Sequence, residues 1–87
     1  MEPSDQIQPK DKGKLLEMLY GDLEYFRTQV NSLYGPDLSL AVQLTKELES
    51  LIDGVINGEI FLFQQIDGRI SKIAPKHTSY KKLLVAK

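Results

Sequence analysis

This chain predicts a mainly α fold, an antiparallel two-helix hairpin followed by a short β-hairpin and a basic C-terminal tail. Three features lead there. Apolar residues recur at intervals of three or four through two long stretches, a Gly-Pro-Asp step separates those stretches, and the period then shifts around an Asp-Gly pair.

The first helix is expected over about 14–34. Leu15, Leu19, Leu23, Phe26, Val30 and Leu33 fall on one face at helical spacing. Asp11 is a candidate cap for its start, and Gly35-Pro36 is a stop signal, because glycine accepts a left-handed cap and proline cannot continue the helix. Tyr20, Tyr25, Phe26 and Tyr34 lie on or beside the stripe and read as core. The second helix is expected over about 38–56, capped by Asp37, with Ala41, Leu44, Leu48, Leu51 and Val55 forming its seam. So short a connection makes the two helices antiparallel neighbours with their apolar stripes facing.

Beyond Asn57-Gly58, residues 59–66 are rich in Ile, Phe and Leu, and Asp67-Gly68 is a favoured two-residue turn before Arg69 to Ile73. A β-hairpin over about 59–73 follows, with apolar groups on both faces. Residues 1–12, with two prolines, read as a flexible N-terminal arm. Residues 13–74 form the single domain and 75–87 a basic tail, with a short helix at Tyr80 to Ala86.

With 87 residues, 41% hydrophobic and 26% charged, the chain has one core's worth of apolar side chains, at a size where partners or self-association often add stability. The absence of cysteine removes disulfides and thiolate metal sites, which suits a reducing cytoplasm. The polar, acidic start lacks a signal peptide's basic and apolar regions, and no apolar run approaches a membrane span. The net charge of -1 hides a division. All 12 acidic residues lie at or before Asp67, whereas six of the 11 basic ones lie from Arg69 onward. A tail of that kind either reaches for an anionic partner such as nucleic acid or folds back onto the body's own carboxylates.

The single histidine, His77, expected to be exposed in the tail, excludes a zinc site or a histidine-based triad of ordinary composition. The glycines sit singly and form no phosphate-cradling loop. What remains is a polar cluster beside the helical seam: Arg27 on the first helix, and Thr45, Lys46, Glu47 and Glu49 on the second. Thr45 and Glu49 are four residues apart and share a helix face.

On these residues the chain resembles the stage-zero sporulation regulatory aspartyl-phosphate phosphatases, small helical hairpins with a Ser-Gln-Glu-Leu-Asp signature on the second helix. The resemblance rests on Leu23-Glu24-Tyr25-Phe26-Arg27, a short loop with Pro36-Asp37, and Leu44-Thr45-Lys46-Glu47-Leu48-Glu49-Ser50-Leu51-Ile52. It covers roughly residues 15 to 53, and Thr45, Lys46 and Glu49 depart from the signature's serine, glutamine and aspartate. What it implies is a cytoplasmic regulator that binds the receiver domain of a response regulator. Glu49 would orient the hydrolytic water, Arg27, Thr45, Lys46 and Glu47 would contact the partner, and the receiver would supply the magnesium ion, the chain having no cofactor of its own. The residues alone leave two other readings open: a non-enzymatic adaptor that dimerises through its helices or β-hairpin, and a nucleic-acid-associated protein using the tail.

Overall fold

In a computed structural model describing residues 5–85, the apolar stripes form two long helices, α1 (Pro9–Val30) and α2 (Gly35–Asn57). They pack against each other along their length. Arg27 meets Glu49, while Tyr20 lies beside Ile52 and Asp53, so moving back along α1 runs forward along α2, as the short connection requires. Leu15 and Leu19 from α1 and Leu48, Leu51 and Val55 from α2 are almost completely buried in the shared core.

The boundaries differ from the sequence expectation for reasons of proline chemistry. Pro9 opens α1 and Pro36 lies in the first turn of α2, where a missing N–H costs nothing. Gly35-Pro36 therefore begins the second helix rather than closing the first, and neither Asp11 nor Asp37 is the cap residue; Gln8 and Tyr34 are. Gly35 and Gly58 both have positive φ, at 59° and 81°, and Gly58 ends α2 in the left-handed conformation.

The expected β-hairpin over 59–73 is absent among the described residues. In its place stands α3 (Phe63–Ile73), and Asp67-Gly68 lies inside that helix. Phe63, Ile66 and Ile70 are buried and Ile73 partly so, a helical spacing that lies within the same Ile- and Phe-rich run. Gln65 starts the helix. Its Oε1 accepts from the backbone N–H groups of Phe61 and Leu62, both at 2.9 Å, which supplies acceptors at an end that otherwise lacks them. The turn before α3 is tight: Ile60 N–H donates to the Gly54 carbonyl at 3.0 Å, and Ile60 covers Gly54 so closely that a Cβ there would lie 2.5 Å from its Cδ1.

Both terminal segments are tied to the body, the N-terminal one against expectation and the tail by the folding back that its charge left open. Ile7 of the supposed arm donates its N–H to the Phe61 carbonyl at 2.8 Å and packs on the core, while Gln6 forms a single antiparallel bridge with Leu62. The remainder of that arm, residues 1–4, lies outside the described residues. In the tail, α4 (Tyr80–Val85) docks against α1 and α3, and Ala86 of the expected short helix also lies outside them.

Candidate functional site: the open edge of the hairpin

The hairpin has two long edges, and helix geometry sorts the sequence-predicted residues between them. At about 100° per residue, Glu47 and Glu49 point to opposite flanks of α2. On Glu47's side, α3 packs, and Arg69 approaches the Glu47 carboxylate to 2.5 Å while donating to the Ser50 hydroxyl at 3.2 Å. On Glu49's side the edge is open, and Glu49 is bound by Arg27 from α1 at 2.6 Å. Both partners have about half of their side-chain surface exposed, and Arg27 also lies 3.8 Å from Glu24. The pair crosslinks two helices across an open groove of about 490 Å³ with Leu23 and Ile52 in its lining.

The cluster read from the sequence is thus divided. Arg27 and Glu49 come together as expected. Thr45 is half-buried and its hydroxyl donates to the Ala41 carbonyl at 2.8 Å, the local back-bonding that threonine commonly adopts within a helix. Lys46 is exposed, three residues before Glu49 and so a neighbour of it on the helix surface. Glu47 belongs to the other edge.

Residues not read from the sequence as site members complete the groove: Tyr20, expected in the core, and Glu24 on α1, Ile52 and Asp53 on α2. The readable signal was the flanking row Tyr20, Glu24, Arg27, stepping by four and three, and its counterpart on α2, where Ile52 and Asp53 lie three and four residues after Glu49. Three of the four aromatics expected in the core are on the surface, with Tyr20, Tyr25 and Tyr34 exposed and only Phe26 packed against the core. An aromatic beside a stripe is near the core without being in it.

The covered edge carries a second polar cluster, centred on α4. Tyr80, 2% exposed, donates its phenol hydrogen to Asp22 of α1. Asp67 of α3 accepts from the Ser79 hydroxyl at 2.7 Å, from Tyr80 N–H at 2.9 Å and from Lys81 N–H at 3.3 Å, so one carboxylate caps the start of the neighbouring helix. Burial, reinforced by the Asp22 and Asp67 carboxylates, holds the Tyr80 phenol well above its ordinary pKa. His77, expected to be exposed, is partly buried against the Tyr80 ring, at 4.9 Å between centroids, with Nε2 3.5 Å from Asp67 Oδ1. These groups organise the C-terminal segment.

Part of the positive charge from Arg69 onward is turned inward. Arg69 is paired with Glu47, and Lys81 lies 3.4 Å from Asp5, so two cations are turned onto the acidic body. Among the described residues no helix is long and apolar enough to cross a membrane, and no three His, Asp or Glu side chains gather as a metal site.

Compared with family models, curated proteins and solved structures, the chain matches none.

Proposed function

We propose that the open edge of the hairpin binds the receiver domain of a response regulator and that Glu49 promotes hydrolysis of its aspartyl phosphate. The observation that carries this is the pairing of Glu49 with Arg27 from the opposite helix, half-exposed at the mouth of a groove. A carboxylate in that position can enter another protein's pocket without either helix being dismantled.

Phosphoryl transfer depends mainly on placing a water in line and balancing charge, which a few inserted side chains can do. The water oxygen bonds to phosphorus as the bond to the receiver's aspartyl oxygen breaks. Inorganic phosphate and a free carboxylate result, and the water's proton passes to Glu49 and then to solvent. The phosphoaspartate and magnesium ion belong to the receiver. For this chemistry Arg27 must release Glu49 in favour of phosphate oxygens or acidic groups of the partner, an exchange that the exposure of the pair makes inexpensive.

A second reading has its own support: this edge binds a receiver without hydrolysis, as an adaptor. The Glu49 carboxylate is already occupied by Arg27, and the Thr45 hydroxyl is engaged with Ala41. The lifetime of a phosphorylated receiver separates the two. Shortening by the native chain, lost in Glu49→Gln, is the result expected for the phosphatase. Binding with an unchanged lifetime selects the adaptor, and neither binding nor shortening across candidate receivers overturns both.

A further inference from the structure

We propose that the groove between α1 and α2 receives a cationic amphipathic helix of the partner. This deepens the receiver reading and rests on it in one respect, that the same edge is a docking surface. Among the described residues α3 and α4 pack on one side of the hairpin, and no further helix packs on the other. There the apolar floor, Leu23 and Ile52, is only 5% and 4% exposed, and the accessible apolar surface comes from Tyr20 on α1 and from Ile56, one turn beyond Ile52 on α2, each about half exposed. A floor between two helices with apolar shoulders is the shape that accepts a third helix, through residues spaced i, i+3, i+4 and i+7.

The charge of the rim selects the occupant. Among the described residues lining the groove, Glu24, Glu49 and Asp53 outnumber one cation, Arg27, which is shared between Glu24 and Glu49, with Lys46 a neighbour of Glu49 outside that lining. A second copy laid face to face would double this imbalance within one interface, and an anionic lipid surface would meet like charge. A helix whose apolar stripe is flanked by lysine or arginine fills the floor and neutralises the rim together.

The test uses the full chain, isotopically labelled, and a synthetic leucine-lysine helix of about five turns, with a scrambled peptide of identical composition as control. The patterned peptide should perturb the amides of Tyr20, Glu24, Asp53 and Ile56, and salt should weaken the effect. Glu24→Lys combined with Asp53→Lys, both at exposed positions that leave the core intact, should weaken binding about tenfold or more. Equal binding of the scrambled peptide, perturbations scattered away from the groove, or insensitivity to the double substitution overturns the proposal. So does a concentration-dependent dimer whose formation perturbs these same amides while the peptide does not. The outcome is separable from the receiver reading: a chain that takes the peptide but no receiver keeps this proposal and loses that one, and a chain that binds a receiver through this edge but no patterned peptide does the reverse.

Discussion

The two edges of the hairpin use the same chemistry to different ends. On the covered edge, Asp67 and Asp22 accept hydrogen bonds from the Ser79–Lys81 segment beneath packed helices; on the open edge, Glu49 holds Arg27 with about half of each in solvent. A carboxylate enclosed by donors secures structure, because removing it leaves those donors unpaired. One at a wet edge adds little to stability and is free to change partners. Burial, more than residue type, decides which acid is structural and which is available for function.

That contrast can be broken in several places. The largest effect belongs to the seam both edges share: Leu48→Ala, at a residue 1% exposed, should lower the unfolding free energy by about 2–5 kcal/mol in denaturant titration. Next is the covered edge, where Asp67→Ala strips the acceptor from α4 and should cost about 1–3 kcal/mol. Alkaline titration isolates Tyr80. Its phenol is held protonated in the folded chain, so its contribution is fully present below the ordinary tyrosine pKa of about 10 and is lost as pH rises beyond it. Tyr80→Phe should flatten that part of the stability profile; an unchanged slope would mean that Tyr80 is not the group responsible. The smallest change is expected on the open edge, where Arg27→Ala and Glu49→Gln should each shift stability by only ~0–1 kcal/mol. A loss as large as that of Asp67→Ala would make this pair structural and remove it as a candidate site.

How much the sequence disclosed follows the same division. The α1 and α2 stripes were legible because Leu15, Leu19 and Leu23, like Leu44, Leu48 and Leu51, repeat at one unambiguous period over many turns. The antiparallel direction of the pair followed from the short connection, whereas the register that brings Arg27, near the end of α1, to Glu49, deep in α2, did not. The third helix was concealed by its composition, since Phe61-Leu62-Phe63 and Asp67-Gly68 carry strand and turn signals over a span too short for one period to dominate. Packing settled the conflict: Phe63, Ile66 and Ile70 bury together only as a helix on α2, and Asp67 in that helix faces α4 instead of turning a hairpin. Long-range polar partners such as Asp22 with Tyr80, 58 residues apart, leave no local trace at all. The groove was half visible: Arg27 and Glu49 were singled out and Leu23 was assigned to the core stripe, while Glu24, Asp53 and Ile52 were not read as part of a site.

A helix of six residues cannot sustain itself in water, so α4 exists by virtue of acceptors lent from α1 and α3. It is therefore the part of the protein that should let go first, in an opening too small to disturb the long pair. Hydrogen exchange at the amides of Tyr80 and Lys81 would follow this detachment separately from global unfolding. Each such excursion frees Lys81 from Asp5 and adds it to the already exposed Lys82 for as long as the segment stays away.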